Sequence, residues 1–382
     1  MEIIGPRLFS VIILSVCVSI GACSKNPQSS GEDKSLIATN HVLVDTLATA
    51  ETIALFQNLR SVSQNHVLFG HQDDLAYGVG WWAFTGRSDV KEVCGDYPAV
   101  IGWDLGDIHR SENLDGVSFA RMKTWIQDVY ERGGINTISM HLDNPVTSGS
   151  AWDNSPAVAA VLPGGTHHSV FLNTLDLIAG FLKSLKSNGG IMIPVILRPY
   201  HEHNHSWAWW GSGSCNAEEY NSLWRMTVEY LRDTHEIHHL LYCISPQEIR
   251  SEAEYLTRYP GDAYVDILGL DDYSLRVPSD ISGIGTALKI VAGLAKNRNK
   301  VSALTETGVE NLPYTNWWTD CLLASIKQNT QSRDIAWVLV WRNASADHFF
   351  APYSGHPGAD NFVEFYNDPI SLFESDLPDM YH

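Results

Sequence analysis

Ile191-Met192-Ile193-Pro194-Val195-Ile196-Leu197-Arg198-Pro199-Tyr200-His201-Glu202 changes character halfway along. Ile191 to Leu197 is apolar and rich in β-branched residues, as a strand buried on both faces requires. The second half is polar and aromatic, so the strand delivers charge to its C-terminal end. On either side the hydrophobic period becomes helical. Phe171, Leu172, Leu175, Ile178, Ala179 and Leu182 precede the strand; Tyr220, Leu223, Trp224, Val228 and Leu231 follow it. A buried strand between amphipathic helices is one unit of a parallel α/β sheet.

Seven more runs of this kind occur: His66–Gly70, Ala99–Trp103, Ile135–Met140, Leu240–Ile244, Val265–Leu270, Val301–Thr305 and Ile335–Trp341. Eight strand–helix units within about 300 residues predict a (β/α)8 TIM barrel forming a single catalytic domain. An open doubly wound sheet is the alternative, and the absence of a GxGxxG turn after the first strand weakens it only slightly. Arg132-Gly133-Gly134 and Asn188-Gly189-Gly190 are expected to cap helices before strands three and four. Thr39 to Ser63 is expected to form an extra N-terminal helix covering the barrel.

The chain has 382 residues, with 25 Lys and Arg against 44 Asp and Glu, a net charge of −19. Phosphate binding needs the opposite balance, so nucleic acid is disfavoured as a partner. The 13 Trp, 15 Tyr and 12 Phe are more than a core requires, and raise the alternative of a surface that stacks flat ligands.

Residues 1–22 read as an export signal: Arg7, then an apolar stretch from Leu8 to Ile20, too short to span a membrane comfortably. Ile20-Gly21-Ala22-Cys23 resembles a bacterial lipobox, whose cysteine is lipidated. Residues 23–38 read as a tether and 39–382 as the catalytic domain. The expected location is the bacterial cell envelope, anchored at Cys23 and facing the periplasm. Cys94, Cys215, Cys243 and Cys321 show no zinc spacing. Cys243 reads as a buried thiol, and a pairing of Cys94 or Cys215 stays open.

The active site of a barrel lies at the C-terminal ends of its strands. All eight ends are polar here: His71 to Asp74; Trp103-Asp104 and Asp107; His141, Asp143 and Asn144; Arg198 to His205; Ser245 to Gln247; Asp271 to Tyr273; Glu306; and Trp341 to Asn343. Glu202 closes strand four and Glu306 strand seven, facing each other across the mouth. Two such carboxyl groups can cleave a glycosidic bond if one is protonated and the other ionised. His201, His203 and His205 could instead be a metal trio, but no HExxH spacing accompanies them.

Arg198 to Gly211, with His201-Glu202 at its centre, resembles the acid/base motif of glycoside hydrolase family 26. Ala303-Leu304-Thr305-Glu306-Thr307-Gly308 is similar to that family's nucleophile segment. Met140 to Pro145, Asp271-Asp272-Tyr273 and Val340 to Asn343 resemble further family segments, so the likeness runs from about Asn65 to Asn343. It implies a retaining β-mannanase acting on β-1,4 linkages in mannan, glucomannan or galactomannan, without a cofactor or metal, as a monomer. By resemblance Glu202 is the acid/base and Glu306 the nucleophile. His201 would hydrogen-bond near the nucleophile, and Tyr273 would position it. Trp207 would line the leaving-group side, Trp341 would floor the sugar at the cleavage point, and His141 and Arg342 would hold the next sugar. Six tryptophans, Trp103, Trp152, Trp207, Trp209, Trp210 and Trp341, are expected to line the cleft. Alternatives are an exo-acting member that releases mannobiose, a same-fold hydrolase of another β-glycan, a non-catalytic glycan-binding lipoprotein, and a metal-dependent hydrolase.

Overall fold

The computed structural model describes residues 43–382. The expected signal, the tether up to residue 38 and the lipidated Cys23 lie outside the described residues. Eight strands run parallel: β1 (Val67–Gln72), β2 (Val100–Asp104), β3 (Ile135–Met140), β4 (Val195–Pro199), β5 (Leu240–Ile244), β6 (Ile267–Asp272), β7 (Val301–Thr307) and β8 (Trp337–Val340). Each pairs with the next, and β8 returns to β1 through Leu68 opposite Trp337 and His71 opposite Val340. That pairing closes the barrel and removes both sheet edges, so the open doubly wound sheet is excluded. Closure needs room inside. A side chain at Gly102 would collide with the Gln72 side chain, which glycine lets lie within the barrel.

All eight expected strands are present, with two local differences nearby. β4 starts at Val195 rather than Ile191 because Pro194 has no N–H for the ladder. Asn188 to Gly190 does not cap the preceding helix. His168–Lys183 ends at Ser184, and Gly190 (φ 82°) instead turns the chain between bridged Lys186 and Met192. Gly133 (φ 90°) does follow helix Phe119–Glu131 as expected.

The N-terminal helix is shorter than expected, Ala50–Val62. The Thr49 side chain accepts from the Thr52 amide and starts it there. Its Leu55, Phe56 and Leu59 join a buried cluster with Leu68, Val100, Ile135, Ile196, Leu241, Ile267, Val301 and Trp337, one residue from each strand. The helix thus closes the N-terminal end of the barrel. The other helices pack around the sheet and form the larger apolar layer.

Candidate active site

The turn after β4 is the most unusual backbone in the site. Tyr200 (φ 50°) and Glu202 (φ 52°) both adopt the left-handed region, which costs a non-glycine residue about 1–3 kcal/mol. Neighbours hold the turn in place. The Glu202 amide donates to Ser245 O at 2.8 Å, and Trp210 Nε1 donates to His201 O at 2.8 Å. Trp207 Nε1 then donates to Glu202 Oε2 at 2.6 Å.

Glu306 reaches the mouth by a different device. Leu270 pairs with Leu304, but Asp271 pairs with Glu306, so Thr305 is an extra residue in β7. Such a bulge re-aims the side chain beside it. Glu306 Oε1 takes a charge-assisted bond from Arg198 Nη2, and Oε2 accepts from Tyr273 Oη at 2.9 Å. Arg198 also donates to Asp271 Oδ2 at 2.8 Å, and Ser245 and Thr305 hydroxyls complete the bonding of Asp271.

Glu202, Asp271 and Glu306 each bring a carboxylate oxygen within 4.8 Å of the other two. Three buried carboxylates cannot all stay charged beside one guanidinium. Burial raises Glu202 well above the ordinary carboxylate range, and the charges of Asp271 and Glu306 add to the shift; the Trp207 bond opposes it. Burial also lifts Asp271 to about 7, despite Arg198. Burial works against the charge of Arg198, but Asp271 and Glu306 outweigh it and keep the guanidinium protonated.

The wall opposite is aromatic. His141 Nδ1 meets Asp104 Oδ2 at 2.7 Å, and the ring stacks against Trp152 with centroids 5.3 Å apart. Burial opposes charge on His141, yet Asp104 raises its pKa and leaves Nε2 for a ligand. Trp207 lies 5.7 Å and Trp341 6.1 Å from the same imidazole. Trp152 is 54% exposed. Arg342 pairs with Asp115 at 2.6 Å and meets Tyr77 Oη at 3.3 Å, fixing the rim beyond Trp341. The structure therefore gathers Glu202, Glu306, His141, His201, Trp152, Trp207, Tyr273, Trp341 and Arg342 at one end of the barrel.

Three expectations need correction. Trp103 is not in the cleft. It points outward from β2, stacks on Trp125 at 6.1 Å and donates to Asn136 Oδ1 at 2.8 Å, wholly buried. Trp209 and Trp210 are buried too; their indole N–H groups brace Leu142 O and His201 O from below. His201 does not bond the nucleophile, a place that Arg198 and Tyr273 occupy. It meets His141 edge-on at 4.5 Å, and burial followed by the Arg198 charge holds it well below the usual histidine range, neutral.

The three histidines do not converge on a metal either. His203 stacks on Tyr220 at 4.4 Å, away from His201, because the left-handed turn breaks strand alternation. Cys94, Cys215, Cys243 and Cys321 are free thiols, and Cys243 is buried as expected. Trp81 is buried against Asp89, while Trp82 stacks on Tyr77 at 4.9 Å and stays half exposed.

Arg198 and Asp271 were given no role by sequence reasoning. The available signal was a charge inside, or at the end of, an otherwise apolar strand. Such a group is buried with a partner or not at all.

A closed parallel barrel with a facing pair of glutamates at β4 and β7, beneath an aromatic wall, defines a glycosidase. Comparison with known proteins places it more narrowly. The family model for glycosyl hydrolase family 26 matches residues 44–349, and the chain belongs to that family. It is 34% identical over 376 residues to a mannan endo-1,4-β-mannosidase of Bifidobacterium adolescentis, covering 91% of this chain but 37% of that protein's length. A Bacillus subtilis enzyme of the same name is 29% identical, covering 68% of this chain and 71% of its own. Among solved structures, a family 26 β-mannanase from Bacteroides ovatus has TM-score 0.84 and 44% identity, covering 87% of this chain and 98% of that one. A modular endo-β-1,4-mannanase from Cellulomonas fimi has TM-score 0.84 and 36% identity, covering 89% and 79%.

Proposed function

We propose that this chain is an endo-acting, retaining β-mannanase that hydrolyses β-1,4-mannosidic bonds in mannan, glucomannan and galactomannan. The observation that carries the mechanism is the gap between Glu202 and Glu306, whose nearest carboxylate oxygens lie within 4.8 Å. Retaining enzymes hold the pair about 5–5.5 Å apart, whereas inverting ones need about 6.5–9.5 Å to admit a water. The mannan backbone is supported by the names of the relatives given above, which are β-mannanases.

Glu306 is the nucleophile. Its carboxylate forms a bond to the anomeric carbon as the glycosidic C–O bond breaks and the electron pair leaves with the departing oxygen. Glu202 gives that oxygen its proton. Burial and neighbouring negative charge keep Glu202 protonated for this step. Water then attacks the glycosyl-enzyme, and Glu202, now ionised, takes its proton. Arg198 and Tyr273 fix both oxygens of Glu306 throughout. Trp207 and Trp152 offer stacking faces, Trp341 floors the sugar under attack, and His141 and Arg342 hold its neighbour. Both glutamates come from one chain, which supports action as a monomer. The lipobox-like Cys23 supports export and lipid anchoring, which fatty-acid labelling of wild type and Cys23→Ala would test, and the lack of an acidic run in Ser24-Lys25-Asn26 supports a periplasm-facing position.

The test is a panel of β-glycans given to wild type and Glu306→Ala, with the anomer of the first product read by NMR. Cleavage of mannan by wild type alone, with the β-anomer formed first, is expected. A first-formed α-anomer, or full activity in the variant, overturns the mechanism. An early product spectrum of mannobiose alone would overturn endo action.

A further inference from the structure

Tyr273 does more than hold the nucleophile. Its ring walls a cleft of about 640 Å³ beside Glu306, between the loops that follow β6, β7 and β8. That is well within the range of about 300–1,000 Å³ found for small-molecule sites. Arg276, Glu310, Tyr314 and Phe350 continue the wall, so it offers ring faces, a guanidinium and a carboxylate. Phe350 packs edge-on against Tyr273 at 6.1 Å, and Glu310 pairs with His348 at 2.6 Å. Apart from Tyr273, none of these side chains has a part in the mechanism above.

The orientation of the sugar under attack decides what can enter. On the β-mannanase reading, on which this inference rests, one edge of that ring faces His201 after β4. The opposite edge faces Tyr273. A pyranose carries O2 on one side of its anomeric carbon and the ring oxygen with C6 on the other. Hydrogen bonds to the 2-hydroxyl strengthen in the transition state of these reactions. The His201 imidazole stands on the histidine edge, packed edge-on against His141. The C6 hydroxymethyl therefore points past Tyr273 into the cleft.

We propose that this cleft accepts a hexosyl branch linked to O6 of the mannose at the cleavage point, so that the enzyme cuts directly on the reducing side of a branched mannose. The cleaved sugar becomes the new reducing end, which makes the proposal readable in the products. Galactomannan is digested, the new reducing ends are labelled with a fluorescent amine, and the oligosaccharides are sequenced by tandem mass spectrometry. Branched mannose at the labelled end is expected in wild type. Val277→Trp places bulk on the rim at an exposed position, 43% accessible. It should lower the fraction of branched ends at least fivefold while the rate on unbranched mannan stays within twofold. Unbranched ends throughout the wild-type digest overturn the branch site and leave the mannanase reading intact. Equal loss on both polymers in Val277→Trp also overturns it. Failure of wild type to cut either polymer would sink the mannanase reading along with it.

Discussion

At the N-terminal end of the barrel, each of the eight strands contributes at least one buried apolar side chain, from Leu68 to Trp337, and Leu55, Phe56 and Leu59 close the layer from below. A few residues further along the same strands, the interior holds Arg198, Asp271, Glu306, Asp104 and His141, all buried. The side chains of that lower layer are apolar, and the buried Asp266 just before β6 only ties the Val44 and Tyr242 amides together. The upper end crowds four ionisable groups together, Arg198 hydrogen-bonded to Asp271 and Glu306, and Glu202 beside them. With three carboxylates around one guanidinium, losing Glu306 relieves repulsion and still leaves Arg198 paired with Asp271. The lesson is that stability and chemistry are separated along the strand axis rather than between domains. Substitutions at the two ends should therefore fail in opposite ways.

The largest effect is expected at Glu306. Glu306→Ala should lower kcat on mannan by at least about 10⁴-fold, roughly 5.5 kcal/mol of barrier, since no covalent intermediate can form. The melting temperature should hold or rise, because one of three crowded carboxylates is gone. Scanning calorimetry beside the assay checks the pair of outcomes. A large fall in melting temperature would show that the upper end is structural after all.

Next comes the acid. Glu202→Ala should cost about 10²–10⁴-fold on mannan and far less on an aryl mannoside whose leaving group needs no proton. The pH profile carries the sign. Glu202 must be protonated to act, and its pKa is raised by burial and by Asp271 and Glu306, so wild-type activity should fall as pH climbs through that raised value. Trp207 opposes the rise. Trp207→Phe removes its hydrogen bond and should move the alkaline limb to higher pH. A shift to lower pH would contradict the arrangement.

The lower end should answer in stability alone. Leu59 is wholly buried in the layer that closes the barrel. Leu59→Ala should destabilise by about 2–5 kcal/mol, read by urea unfolding, through lost burial and the cavity left behind. Its kcat and KM below the melting transition should match wild type.

Much of this contrast was legible in the chain. Buried parallel strands read as short apolar runs, and a run that ends in Glu or His-Glu announces an active end. Side-chain direction was partly legible as well. Gly102 and Asp104 face inward on β2, so Trp103 between them had to face out, towards Trp125. What no local pattern held was the cross-strand contact. Arg198 and Asp271 meet across 73 residues of sequence. The bulge at Thr305 changes the side on which Glu306 emerges without leaving any mark in composition. The left-handed turn at Tyr200 and Glu202 likewise ended the alternation on which a metal reading of His201, His203 and His205 depended.

The smallest effect sharpens the comparison most, because it concerns one residue type in two places. Trp152 is 54% exposed and stacks on His141 at 5.3 Å, while Trp103 is fully buried with its N–H on Asn136. An aromatic face contributes about 0.5–1.5 kcal/mol beyond its area. Trp152→Ala should therefore raise KM for manno-oligosaccharides by about two- to tenfold, with kcat and melting temperature nearly unchanged. Trp103→Phe should do the reverse. It leaves the buried Asn136 Oδ1 without its donor and should cost about 1–3 kcal/mol of stability at constant KM. If both variants moved KM, the sugar-facing wall would extend behind β2. If both moved only stability, Trp152 would be a strut for His141, and the cleft would end at Trp207 and Trp341.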